Sequence, residues 1–303
     1  MKKIIITLGL VMFAVLGGAP AAVADDPITP FPAAHSGDVF LAAQTVTTDG
    51  AVHNYFAPGS VVVFRAYAVD GKTQKLVTTK TAKYFYVTIP NQPNVKLKYN
   101  PKARGAGGRY TWIGTWAVPT DYATGIVNFK MLVRTKTKRL GSFVQIPVAT
   151  SQLTLSTTPQ PPLGGGPGSS PAQGGSKVNV ALYVDTVNGT RPKGAPPRPI
   201  GCTQTNVYKR GEQIVVRAWG YDLATGAVLT MDNVTEAHFS LPGVANVTMN
   251  WGAHGATGNK VWFWTNAWDS PAAYPLGDVK IHVSFTTIAG KTGTFDYPIT
   301  IIP

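Results

Sequence analysis

The chain has 303 residues, 27 Lys/Arg against 14 Asp/Glu for a formal net charge of +13, and one cysteine. A single cysteine excludes an internal disulfide, so apolar cores must hold the fold, and the length accommodates two domains of ordinary size. Glutamate occurs only at Glu212 and Glu236, and no GxSxG, SxxK, HExxH or Walker pattern occurs, so hydrolase, metalloenzyme and nucleotide-driven chemistry find no constellation to work with.

The first 24 residues read as a signal peptide: two lysines, an apolar run from Ile4 to about Leu16, then small residues closing on Ala22-Val23-Ala24. The apolar run is shorter than the roughly 20 residues of a membrane span, so the expectation is export to the periplasm or beyond, with no integral span. Residues 25–150 carry 15 Lys/Arg against 6 Asp/Glu, whereas 177–303 carry 10 against 8. The first half therefore holds most of the basicity. Outside the cytoplasm such a surface meets anionic envelope polymers, acidic headgroups or an acidic protein rather than nucleic acid.

Residues Asn54 to Phe143 match Asn206 to Phe295 without a gap. Identical pairs include Gly59 and Gly211, Arg65 and Arg217, Asp70 and Asp222, Trp112 and Trp264, Trp116 and Trp268, and Tyr122 and Tyr274. A repeat this long is a duplicated domain and not a solenoid unit. The copies are assigned to residues 25–150 and 177–303. Between them, 151–176 reads as a flexible linker, because Thr157 to Ser176 is nearly all Pro, Gly, Ser, Gln and Thr and cannot bury enough apolar surface to order itself.

Within each copy the apolar period is two, in VVVFRAYAVD (Val61–Asp70), KLKYN, NFKMLVRTKTK, QIVVRAWGYD (Gln213–Asp222) and VKIHVSF. Turn clusters separate these runs, and β-branched and aromatic residues fill them. The expectation is all-β: two tandem immunoglobulin-like β-sandwiches from an internal duplication, joined by a Pro/Gly/Ser-rich linker.

FAPGSVVVFRAYAVDG and YKRGEQIVVRAWGYDLATG, with the later RYTWIGTWAVPTDYATG, resemble bacterial extracytoplasmic immunoglobulin-like (fibronectin III-like) modules. The resemblance implies a sandwich that serves as a spacer, an adhesive arm or an accessory domain, and it names no site residue. Copy two departs from it, with Lys209-Arg210 where copy one has Ala57-Pro58, and with an insertion that includes Gly194 to Cys202.

Four groups of residues are candidate binding surfaces. Trp112, Trp116, Trp264 and Trp268 share a parity and are expected inside, while Trp262 is left over as one indole too many for a small core. On the early strand Val62, Phe64, Ala66 and Ala68 form the inward set. Arg65 and Tyr67, like Arg217 and Trp219, then fall on the solvent face, either as a surface pair or as a platform for a sugar or carboxylate. Lys130, Arg134, Lys136 and Lys138 share one parity as a basic stripe that Lys96 and Lys98 extend, either an anion site or a charged sheet edge. Glu236 and His238 are spaced as two metal ligands but lack a third, so an ion pair is expected there. No cofactor and no metal are expected. The whole reads as an exported, non-enzymatic binding or assembly protein whose partner is a protein or an anionic envelope polymer; the alternative is an accessory subunit of a separately encoded extracytoplasmic enzyme.

Overall fold

The computed structural model describes residues 38–101, 111–160, 163, 172–173, 178–189, 201–254 and 261–303. The first half contains β1 (Val39–Val46), β2 (Tyr55–Phe56), β3 (Val61–Asp70), β4 (Lys75–Leu76), β5 (Ala82–Thr88), β6 (Val95–Lys96), β7 (Lys98–Asn100), β8 (Thr111–Ala117), β9 (Gly125–Ile126), β10 (Lys130–Thr135), β11 (Leu140–Val144) and β12 (Thr154–Leu155). The second contains β13 (Ala172–Gln173), β14 (Val180–Asn188), β15 (Val207–Lys209), β16 (Gln213–Asp222), β17 (Ala227–Val228), β18 (Val234–Leu241), β19 (Val244–Thr248), β20 (Asn250–His254), β21 (Val261–Asp269), β22 (Gly277–Thr287) and β23 (Thr292–Ile302). One 3-10 turn, Ala149–Ser151, is the sole helical element among the described residues.

Each half is built on two packed sheets, antiparallel except where β15 runs parallel to β23; the first half adds a small third sheet, β2-β12-β9, in which β12 pairs β2 in parallel. In the first, β1-β3-β8-β7 faces β11-β10-β5-β6; in the second, β14-β16-β21-β20 faces β13-β23-β22-β18-β19. The duplication is thus visible in strand order as well as in sequence, since β1-β3-β8 corresponds to β14-β16-β21 and β11-β10-β5 to β23-β22-β18. The β11 and β23 strands carry glycine at the equivalent positions Gly141 and Gly293. A Cβ at Gly141 would stand 2.3 Å from the Val39 carbonyl oxygen, and one at Gly293 would stand 2.6 Å from Val180 Cγ1. Glycine there lets the two sheets of each sandwich converge at one edge.

Inside the sandwiches the duplicated residues do the same jobs. Trp112 Nε1 donates to the Val77 carbonyl (2.9 Å) and Trp264 Nε1 to that of Leu229 (2.8 Å). Trp116 meets Tyr122 edge-on, as Trp268 meets Tyr274. The hydroxyls of Tyr122 and Tyr274 donate to the Pro90 and Pro242 carbonyls, each at 2.9 Å. An indole or phenol buried with its polar end satisfied keeps the full benefit of its apolar area, as Trp112 and Trp264 do; Trp116 is buried too, with its Nε1 unpartnered, and Trp268, expected inside with them, is half-buried. Tyr110, which shares that parity, lies outside the described residues.

The halves do not stand apart. All residues of β1 and of β14 are buried, because one side of each strand packs inside its own sandwich and the other side packs against the other half. Tyr67 touches Phe295 and Phe143 touches Tyr183, with ring centroids 5.8 and 6.1 Å apart. Since Phe143 and Phe295 are equivalent positions, each half offers the same phenylalanine to the other. The Tyr67 hydroxyl donates to the Leu182 carbonyl, Val52 N–H to Asn206 Oδ1 at 2.8 Å, and Val178 N–H to the Gln74 carbonyl at 2.9 Å. One apolar cluster runs from Phe64, Phe129 and Phe143 through Tyr183 and Trp219 to Phe263. Within the stretch expected to be flexible linker, Ala172 and Gln173 pair with Asp296 and Phe295 as β13; residues 161–162, 164–171 and 174–177 lie outside the described residues, as does the expected signal peptide.

Candidate functional site

The faces expected to meet solvent on β3 and β16 are buried. Arg65 is 2% exposed, Tyr67 9%, Arg217 3% and Trp219 1%. The alternation is as read, but the second face of each strand covers the other half of the molecule, so these four residues form an internal seam and not an open platform. The missed signal was in β1 and β14, whose openings VFLAA (Val39–Ala43) and VALYV (Val180–Val184) are apolar at both parities, the mark of a strand buried on both sides.

Within the seam Arg217 and Asp185 form a two-point pair, Nε to Oδ1 and Nη2 to Oδ2, both 2.7 Å. Gln204 Nε2 donates to Asp185 Oδ2 at 2.8 Å, and Arg217 Nη1 donates to Ser151 Oγ of the first half at 3.0 Å. The Ser151 hydroxyl passes on to the Cys202 carbonyl at 2.8 Å. Burial pulls the Arg217 pKa down, but the Asp185 carboxylate outweighs it and leaves the guanidinium above its ordinary value. Cys202 is half-buried and free.

The accessible face with chemistry is the outside of β11-β10-β5-β6. Register fixes its neighbours: Lys130 lies between Thr88 and Val144, Leu132 between Tyr86 and Ser142, and Arg134 between Tyr84 and Leu140, while Lys96 flanks Tyr86. Tyr84 and Tyr86 lie ring beside ring at 5.2 Å, both half-buried. Lys130 and Lys96 are exposed, Leu140 is 50% exposed, and no carboxylate occupies any of these positions. Two rings flanked by cations that have no partner on their own face can hold planar or ring-shaped groups bearing negative charge, by stacking and by charge.

The stripe is shorter than its parity implied. A register shift between Arg134 and Thr135 ends the row, and Lys136 to Lys138 form the hairpin turn, with Lys138 at φ +69°. Lys130 and Arg134 therefore keep the face and Lys136 and Lys138 leave it. Nor is β10 an edge strand, since β11 and β5 flank it. Tyr84 and Tyr86 were legible only as i, i+2 aromatics in KYFYVT, and register was needed to bring them beside the cations.

Lys96 and Lys98 also line a surface groove of about 640 Å³ with Tyr99, Ile113 and Trp116. The corresponding face of the second half is self-neutralised: Asp296 pairs with Lys280 at 3.2 Å and with His282 Nδ1 at 2.8 Å. Trp262 is half-buried, stacks on Trp251 at 5.9 Å, and accepts the Trp219 indole N–H at its carbonyl. Glu236 and His238 share a face of β18 but form no ion pair, and no cluster of three candidate metal ligands exists among the described residues. No helix among them is long and apolar enough to cross a membrane.

No family model and no curated protein matches the chain. Solved structures similar to it include domains 5–6 of the S-layer protein SbsC, at 12% identity over 88% of this chain and 98% of that one, TM-score 0.22. The C-terminal domain of the Streptococcus pyogenes antigen I/II-family protein AspA is 9% identical over 88% and 98%, TM-score 0.21. SGBP-B of the Bacteroides ovatus mixed-linkage glucan utilization locus, solved with a mixed-linkage heptasaccharide, is 8% identical over 85% of this chain and 44% of that one, TM-score 0.18. At these TM-scores the likenesses carry no argument about what the chain does. Its own residues define an all-β protein of two immunoglobulin-like sandwiches.

Proposed function

We propose that the protein is an exported, non-enzymatic binding or assembly module that holds an anionic envelope polymer on the outer face of β11-β10-β5-β6. The observation that carries this reading is the juxtaposition of Tyr84 and Tyr86 with Lys96, Lys130 and Arg134 on a face without a carboxylate. The second half, whose matching face is neutralised by Asp296, serves as the support that covers the seam. Rings supply contact area at low entropic cost, and the cations supply steering and a salt-dependent share of affinity.

The test is retention of the purified protein on immobilised polygalacturonate and on a polyphosphate at low salt, followed by a sodium chloride gradient. Retention that falls steeply with salt, is abolished by Lys130→Glu with Arg134→Glu, and is weakened by Tyr84→Ala with Tyr86→Ala supports the reading. No retention on either polymer at low salt overturns it. Capture of one envelope protein at stoichiometric yield in a pull-down, unaffected by the charge reversal, moves the function to an accessory subunit.

A further inference from the structure

The duplication supplies an internal control for one open strand edge. β3 pairs with β8 from Trp112 to Ala117, but β7 covers the other edge of β8 only from Thr111 to Ile113. Gly114 to Ala117 therefore have no strand paired on that side among the described residues. Val118 N–H donates to the Ser60 carbonyl at 2.9 Å, and the Val118 carbonyl accepts from Gly59 N–H at 3.0 Å. Its backbone groups thus point toward β3, and alternation along the strand turns those of Thr115 and Ala117 the other way, toward the open edge. Both residues are exposed.

In the second half the same edge is plugged. Asn266, equivalent to Gly114, accepts the Ala267 N–H at Oδ1 and donates from Nδ2 to the Thr248 carbonyl, both at 2.7 Å. One side chain thus occupies the N–H that corresponds to that of Thr115 and the carbonyl that corresponds to that of Lys96. Glycine at 114 offers no such plug, and a Cβ there would already stand 2.8 Å from Val95 Cγ1 and 3.4 Å from the Lys96 carbonyl oxygen. What the first half has instead is the groove of about 640 Å³, lined by Gly114 to Ala117 together with Gln92 to Lys96 and Lys98. Lys96 and Lys98 are exposed, and no carboxylate lines the groove. The second half has Thr248 and Asn250 in place of these lysines, and Asp269 in place of Ala117. Lysines beside an open edge discourage pairing with another basic chain and favour an acidic one.

We infer that this groove is a strand-acceptor site: an extended acidic segment of a partner protein lies beside β8, pairs its main chain with Thr115 and Ala117, and sets its carboxylates against Lys96 and Lys98. Main-chain pairing supplies affinity to such a site, and the flanking side chains supply selectivity. The second half, with its edge closed by Asn266, takes no strand at the equivalent place. The groove shares Lys96 with the face that carries Tyr84 and Tyr86, but it stands or falls independently of what that face binds.

The probe is a fluorescein-labelled octapeptide of alternating threonine and glutamate, titrated into the full chain at low salt and followed by fluorescence anisotropy and amide hydrogen exchange. Saturable binding that weakens with salt and slows exchange at Thr115 and Ala117 is expected. The same peptide N-methylated at every residue keeps its charge but cannot pair its main chain, and it is expected not to bind; this control does not depend on any variant folding. Gly114→Asn, which installs the plug of the second half, and Thr115→Pro, which removes an outward N–H, are each expected to weaken binding about tenfold through lost main-chain hydrogen bonds. Neither variant alters retention on polygalacturonate, so failure of this site and failure of the polymer face are told apart. No binding of the acidic peptide, or equal binding of its N-methylated form or of a lysine-for-glutamate version, overturns the inference. Protection of Thr115 and Ala117 by polygalacturonate in place of the peptide overturns it too, and assigns the groove to the polymer face.

Discussion

The Arg217–Asp185 pair is the most sensitive point of the seam, and its removal has a calculable cost. Asp185→Ala leaves Arg217, 3% exposed, with Ser151 Oγ as its remaining acceptor among the partners described for it, and strips the carboxylate that Gln204 and Tyr183 also address. Breaking a buried pair by deleting one partner costs about 3–5 kcal/mol, much of it the uncompensated charge left behind. For a chain of this size each kcal/mol lowers Tm by roughly 2–4 °C, so a fall of about 6–20 °C is expected. Asp185→Gln should cost markedly less, since the first half already shows a glutamine accepting two bonds from Arg65. Replacing both partners, Arg217→Met with Asp185→Leu, should restore most of the loss, because no charge remains to be solvated. Equilibrium unfolding in urea measures all three. A loss below about 1 kcal/mol for Asp185→Ala, against that expectation of about 3–5, would show that the pair is hydrated and that the seam opens in solution.

Three further outcomes follow from the same geometry. The shared core predicts one cooperative unfolding transition by calorimetry for the whole chain despite its duplication, whereas residues 38–160 expressed alone should expose Phe40, Arg65 and Tyr67 and self-associate; two resolved transitions in the full chain would show that the halves fold independently. Tyr67→Phe removes the hydroxyl that serves the Leu182 carbonyl and should lower stability by about 1–3 kcal/mol, the cost of an unsatisfied buried acceptor, with no change in polymer retention. His254 stacks on Phe263 at 4.3 Å, and burial, then the Arg217 charge, depresses its pKa below 6.5. The unfolded chain thus takes up this proton first, and stability should decline as pH falls below about 6.5 until the folded-state pKa is passed. His254→Gln removes that part of the slope, and an unchanged pH profile in the variant would refute the assignment.

Period, composition and self-similarity were enough to read out the local architecture. Alternation in VVVFRAYAVD and QIVVRAWGYD put Val62, Phe64, Ile214 and Val216 inside, and the matched spacing of Trp112/Trp264 and Tyr122/Tyr274 reproduced the same indole and phenol hydrogen bonds in each sandwich. Those features depend on a strand and its near neighbours, which the chain encodes directly. Whether the opposite parity meets water is not encoded there: Arg65, Tyr67, Arg217 and Trp219 have the pattern of a surface, and only the docking of the halves buries them. The same holds for the basic stripe, which a register shift at Arg134 cuts short and cross-strand pairing completes with Tyr84 and Tyr86. Side-chain alternation is a property of one strand, whereas burial and the company a side chain keeps are set by contacts between residues more than a hundred positions apart, such as Tyr67 with Phe295 and Val52 with Asn206.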